Sequence, residues 1–253
     1  MNTDGNISNS SCNNTGNNAA GNMNSNTHDN AAGNMNNNTR DNATNSAVDN
    51  AVNNTDVKSE AYNFFAMLSR MKYINRWNLM RNTIEENIAE HSLDVGIIAH
   101  ALGVINNVYF NGKVDPNRIA VVAMYHDVPE IITGDLPTPV KYYSSEVKEA
   151  YDKVEYSAVK KLVRALPEEM KDIYKDIITG DYIDDESKKL VKAADKISAL
   201  IKCVDERNMG NTDFERAERA TVEIIKDLNC KEADFFMEKF FGGYSLTLDE
   251  QQE

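Results

Sequence analysis

The chain has 253 residues, 41% hydrophobic and 26% charged, with a net charge of −13. Its pI near 4.8 argues against a protein that coats polynucleotides through their phosphates, but leaves room for a small nucleotide held by a few local cations. No stretch approaches the roughly 20 apolar residues that cross a bilayer, no basic segment followed by an apolar run opens the chain, and Cys12, Cys203 and Cys230 form neither a C-x-x-C pair nor a disulfide framework, which fits a reducing, cytoplasmic setting.

Two different polymers share the chain. Residues 1–57 hold 20 Asn, 15 apolar residues and no aromatic. Within them NAAGNMNSNTHD (18–29) recurs as NAAGNMNNNTRD (30–41). Met and Ala alone cannot offset the entropy of ordering such a unit, so this tail is expected to be disordered.

Residues 58–253 read as one all-α domain of about eight helices. Ser59 is a plausible N-cap for a helix carrying Tyr62, Phe65, Leu68 and Met71. A loop from Tyr73 to Glu86 follows. Leu93, Ile97, Ile98, Ala101, Leu102 and Ile105 then form a stripe at helical spacing. Asp115-Pro116 opens the next helix. TGDLPTPVK (133–141), with two prolines, is a loop. A helix from about Ser145 to Ala165 stops before Pro167, and another ends at Gly180. Asp184 starts a long helix, Thr212 and Glu215 have capping-box spacing for a further one, and the last contains Ala233, Phe236, Met237 and Phe240.

The body has three histidines. His91 and His100 are nine residues apart, on opposite sides of a helix. His126 and Asp127 are adjacent and would diverge on a regular helix. Pro129 cannot donate to the carbonyl of Tyr125, so a helix break there could let them converge on one ion. Imidazole and carboxylate suit a divalent first-row metal. Asp195 interrupts an apolar stretch, Glu130 lies one turn after His126, and Arg76 precedes Trp77, the only tryptophan. Taken alone, each has a bland reading: a solvated helix end, a surface acid, a core tryptophan.

Together they do not stand alone. FFAMLSRMKYINRWNLMRNT (64–83), EHSLDV (90–95), AMYHDVPEIITGDLPTPVKYY (123–143) and KAADKISALIKC (192–203) resemble the HD-domain phosphohydrolases, and among them the YfbR-like 5′-deoxynucleotidases. The resemblance spans nearly all of 58–253 and none of 1–57. It implies an HD-domain helical bundle and one divalent transition metal, such as cobalt or manganese, on His91, His126, Asp127 and Asp195. It implies hydrolysis of deoxyribonucleoside 5′-monophosphates with Asp127 and Glu130 in catalysis. Arg76 would orient the phosphate and Trp77 would pack on the sugar. Asp135, Leu136, Pro137 and Thr138 would contact substrate, with Lys141 adding positive charge. A homodimer is also implied, with the helices around 145–165 and 213–240 as possible interface; no polynucleotide or membrane partner is expected. Two alternatives stay open: a related enzyme acting on triphosphates or cyclic nucleotides, and a sensing or assembly protein acting through its tail.

Overall fold

The structure, a computed structural model, describes residues 62–252 apart from Tyr142. The Asn-rich repeats with their expected disorder, the expected cap Ser59 and the start of the domain near Lys58 lie outside the described residues.

The fold is all-α. Among the described residues the only β pairing is an isolated bridge between Asn75 and Asn87. Helix α1 (Phe64–Leu68) continues as a 3-10 turn to Tyr73. After the loop comes α2 (Ile88–Tyr109), started by a capping box: Asn87 accepts from the Ala89 and Glu90 N–H groups, and the Glu90 carboxylate accepts from Asn87 N–H. Helix α3 (Pro116–Tyr125) is capped by Asp115, whose carboxylate takes the N–H groups of Asn117 and Arg118. Two four-residue helices follow, α4 (Glu130–Thr133) and α5 (Thr138–Lys141), in the segment expected as a loop. Ser144 caps α6 (Ser145–Val163). Helix α7 (Glu168–Thr179) stops at Gly180, whose φ of +78° is the left-handed region glycine enters without strain. Asp184 caps α8 (Asp185–Asn208), and α9 (Glu215–Asp227) and α10 (Lys231–Lys239) complete the bundle.

The capping box expected at Thr212 does not form. Asn211 accepts from Asp213 N–H instead, and Thr212–Phe214 winds as a 3-10 turn into α9.

Two apolar clusters hold the bundle. The first joins Val95, Ile98 and Leu102 of α2 to Ile119 and Val122 of α3 and to Leu190, Ile197 and Leu200 of α8. The second joins Phe64, Ile88, Val128, Leu162 and Leu166. Fully burying each such side chain is worth about 1.5–3 kcal/mol. The seam between the clusters falls inside α2, between Ile88 and Val95, and inside the α3–α4 connection, between Val122 and Val128. His91 and His126 occupy that seam.

Two expectations about α2 need correction. It is long and apolar enough to cross a membrane by length and composition, although no such stretch was expected. Its inner face is instead spent on the core, packed between α3 and α8. The stripe read at helical spacing is also split between two faces. Ile98, Leu102 and Ile105 are buried, whereas Leu93 and Ile97 are 56% and 60% exposed and run on to exposed Val104 and Val108 along the outer face.

Candidate active site

His91 enters at the end of the first turn of α2, fully buried. Its Nδ1 lies 3.0 Å from Ser198 Oγ of α8, which fixes the ring. Its Nε2 points at two carboxylates, Asp195 Oδ1 at 3.3 Å and Asp127 Oδ2 at 3.6 Å. His126 follows the last residue of α3, where the chain leaves the helix. The bonds from Val128 N–H to Tyr125 and from Glu130 N–H to Asp127 span three residues rather than four. Pro129, which lacks an N–H, sits in this turn as the N-cap of α4. The break turns His126 and Asp127 toward the same point: His126 Nε2 lies 3.2 Å from Asp127 Oδ1, and the two imidazole rings are 5.4 Å apart.

The donor count around this point does not balance within the protein. His126 Nδ1 donates to the Ala123 carbonyl at 2.7 Å, so in the neutral ring Nε2 carries a lone pair. That lone pair faces a carboxylate, acceptor against acceptor. Both Nε2 atoms are buried with no hydrogen-bond partner. Burial, then the Arg76 charge, lowers the His91 pKa, which favours the neutral ligand form despite the two nearby carboxylates. Burial raises the Asp195 pKa, but its neighbours His91, Lys196 and His126 outweigh it and hold the carboxyl well below the usual carboxylate range. One ligand atom each from His91, His126 and Asp195 lies within 4.8 Å of the others. Two imidazoles and the Asp195 carboxylate around one point, with Asp127 against both rings, fit a divalent cation. The Ser198 and Ala123 contacts are the outer bonds that orient such imidazoles.

Glu130 is also buried, with one carboxylate oxygen unpartnered. Burial, followed by the charges of Asp127 and Asp135, pushes its pKa up to about 9 against the opposing pull of Arg76 and Lys141. This favours the protonated carboxyl, the form able to donate a proton.

The loop before α2 brings two further predicted residues to the same place. The Arg76 guanidinium feels Asp127, Asp195 and Asp135 as well as Glu86, its ion-pair partner at 2.7 Å. Trp77 is half-buried rather than core, leaning on Phe214 at 5.3 Å. Asp135 is half-buried; burial raises its pKa while Arg76 and the Trp77 backbone N–H hold it down. Gly134, at φ +73°, turns the chain so that Asp135 follows α4. Leu136 and Pro137 come next, half-buried, and Thr138 opens α5 exposed. Lys141 is tied to Glu155 at 2.9 Å and lies over the Tyr151 ring, so much of its charge is already paired. His100 is exposed on another face of α2.

Sequence reasoning missed four supports. Glu86 accepts from both Arg76 Nη1 and Trp77 Nε1. Ser198 sets His91. Glu206 and Lys202, one turn apart on α8, form a buried ion pair. Glu206 takes the N–H groups of Thr83 and Ile84, and Lys202 donates to the Ile84 carbonyl, so the pair clasps the loop. The (i, i+4) spacing of Lys202 and Glu206 was the one local signal.

The profile of the family described as 5′-deoxynucleotidase YfbR-like matches residues 63–244. The 5′-deoxynucleotidase YfbR of Shigella boydii is 48% identical over 187 residues, 74% of this chain and 94% of its own, and a 5′-deoxynucleotidase of Cronobacter sakazakii is 46% identical over the same spans. Among solved structures, an HD-domain phosphohydrolase from Listeria innocua shares the fold with a TM-score of 0.65 at 24% identity, covering 76% of this chain and 92% of that one. The cyanophage S-2L HD phosphohydrolase, solved with dA and one catalytic zinc ion, has a TM-score of 0.52 at 21% identity, covering 69% and 94%. The chain belongs to the YfbR-like 5′-deoxynucleotidase family and shares the fold of these HD-domain phosphohydrolases.

Proposed function

We propose that the protein hydrolyses deoxyribonucleoside 5′-monophosphates to deoxyribonucleoside and phosphate, with residues 58–253 as its catalytic unit. The observation that carries this reading is the pair of buried, unpartnered imidazole Nε2 atoms facing two carboxylates beside Arg76 and Trp77. His91, His126, Asp127 and Asp195 would hold one divalent transition metal, which when bound supplies an activated water and neutralises phosphoryl charge. Cobalt, manganese and zinc all accept this ligand set.

The chain's own groups do the rest. Arg76 presents its guanidinium fork to the phosphate. Trp77 packs on the sugar and leaves no room for a 2′-hydroxyl. Asp135 accepts from a sugar hydroxyl, and Leu136, Pro137 and Thr138 form the adjoining wall. Lys141, mostly paired with Glu155, contributes background charge near Glu130. As water oxygen bonds to phosphorus and the P–O5′ bond breaks, the protonated Glu130 gives its proton to the departing O5′, and the proton released by the attacking water restores the Glu130 carboxyl. The single spare histidine of the body, His100, lies on another face, which favours this reading over a two-metal cyclic-nucleotide enzyme.

The protein is further read as a homodimer. The exposed apolar row Leu93, Ile97, Val104 and Val108 on α2 supports this, beside exposed Val154 and Tyr156 of α6 and Ile224 of α9 in the helices first expected to supply the interface.

The test is phosphate release from dAMP, dCMP, dTMP and AMP with cobalt, manganese or zinc, before and after chelation, on the full chain and on a form lacking residues 1–57. Deoxynucleotides should be cleaved, chelation should stop turnover, and the shortened form should stay active. Turnover indifferent to chelation would sink the metal reading. Equal rates on AMP and dAMP would sink the role of Trp77 alone.

A further inference from the structure

We propose that Glu86 is a positioning residue that locks Arg76 and Trp77 into one unit and thereby sets the preference for deoxyribose. This inference rests on the reading that Arg76 meets the phosphate and Trp77 the sugar.

One oxygen, Glu86 Oε2, accepts from Arg76 Nη1 at 2.7 Å and from Trp77 Nε1 at 3.0 Å. The Arg76 and Glu86 side chains are only 13% and 12% exposed, so water competes little for these bonds. The backbone repeats the connection. Arg76 N–H donates to the Glu86 carbonyl at 2.8 Å, and the neighbouring residues Asn75 and Asn87 form the isolated bridge. The loop is thus closed on itself directly behind the two side chains.

Trp77 gives this closure its meaning. Its φ is +60°, a region that strains any residue with a bulky side chain, at a cost of about 1–3 kcal/mol. Such a conformation persists only where several contacts impose it. Here Met80 N–H and Asn82 Nδ2 both donate to the Trp77 carbonyl, Phe214 supports the ring, and Glu86 fixes the indole nitrogen. The direction of the indole is therefore over-determined, and Glu86 is the only one of these partners that also holds Arg76.

The residue type matters. Both donors need an acceptor, and the guanidinium also needs a counter-charge in a shielded place. A carboxylate meets both demands with one atom. A Gln oxygen could take both hydrogen bonds but offers no charge, and Ala offers neither. Glu86 makes and breaks no bond in the reaction. It acts through the two residues it holds.

The experiment compares kcat/KM on dAMP and AMP for the metal-loaded full chain and for Glu86→Ala, Glu86→Gln, Trp77→Ala and the double variant Glu86→Ala/Trp77→Ala. Glu86→Ala should lower the dAMP:AMP ratio about tenfold. Glu86→Gln should lower it less, with KM rising more than kcat falls. The double variant should discriminate no worse than Trp77→Ala, because the two residues act in series. Trp77 is the only tryptophan, so emission reports on this position alone; in Glu86→Ala it should shift to the red, with bound metal per chain unchanged. If Trp77→Ala collapses the ratio and Glu86→Ala leaves it intact, the inference fails and the sugar reading stands. If Trp77→Ala leaves the ratio intact, both fail. Should Glu86→Ala not fold, Glu86→Gln is judged by the same criterion: a ratio and emission equal to the parent overturn the inference.

Discussion

Replacing Glu206 by Ala offers a quantitative check on how the active-site loop is held. Glu206 is 1% exposed and lies eleven residues beyond Asp195 on α8. Its carboxylate takes Thr83 N–H at 2.9 Å, Ile84 N–H at 3.1 Å and Asn211 Nδ2 at 2.7 Å, besides the Lys202 ammonium. Removing it leaves a buried ammonium with the Ile84 carbonyl as its remaining oxygen partner and uncovers two backbone donors. An uncompensated buried charge of this kind costs about 3–5 kcal/mol. A second route reaches the same size. Burial works against the ionised form, but the bonds from Lys202, Asn211, Thr83 and Ile84 prevail and bring the pKa from 4.5 to about 2. That difference corresponds to about 3 kcal/mol of stability at neutral pH. Because the folded pKa is the lower one, this stability is present above pH 4.5 and is lost as pH falls toward 2. Glu206→Ala should lower the Tm by roughly 6–20 °C at pH 7, taking about 2–4 °C per kcal/mol for a domain of this size. The gap between parent and variant should narrow in acid. Urea midpoints at pH 7 and pH 3.5 measure both effects. A loss below about 1 kcal/mol at pH 7, or a gap independent of pH, would refute the clasp as an energetic feature.

Other outcomes are open to measurement. Saturating cobalt should raise the Tm of the parent, by about 2.7 kcal/mol of added stability at a hundredfold excess over Kd, and Asp195→Asn should abolish that rise; an equal rise in both would move the ion elsewhere. Glu130→Gln should cut kcat by about 10²–10⁴. The same variant bears on pH: the Glu130 pKa is raised, so its protonated form favours folding below 4.5 and that contribution disappears as pH rises through about 9. In metal-free buffer, Glu130→Gln should therefore lose less stability than the parent between pH 5.5 and 8.5, and parallel losses would count against the buried-acid reading. Ile97→Glu, on the exposed row of α2, should shift the protein from dimer to monomer on gel filtration without unfolding it; an unchanged elution volume would exclude that face.

What the sequence disclosed and what it hid follow from the range of the interactions. Helix starts at Asp115 and Asp184 and the stop at Gly180 were legible because a cap is decided within three residues. The convergence of His126 and Asp127 was legible because Pro129 removes a donor locally. The inward face of α2 was not. The helix is apolar on both sides, and periodicity finds a stripe without saying which stripe the rest of the chain covers. The expected capping box at Thr212 lost to Asn211, whose side-chain oxygen accepts from Asp213 N–H in the same turn. Trp77 reads as core by type, and only its place in a strained loop shows otherwise. Ser198 and Glu206 meet their partners across 107 and 123 residues, distances over which no spacing rule operates.

Helix α8 carries Asp195, Ser198, Lys202 and Glu206 at steps of three, four and four residues, all on one side. One rigid rod therefore sets the separation between Asp195, beside the two imidazoles, and the loop that carries Arg76 and Trp77. Inserting or deleting a single residue between Asp195 and Glu206 would swing one end of this row by about 100° relative to the other. No side-chain substitution could restore the alignment. Across this span the residue count, more than any single side chain, fixes how His91, Lys202 and the loop they face are placed.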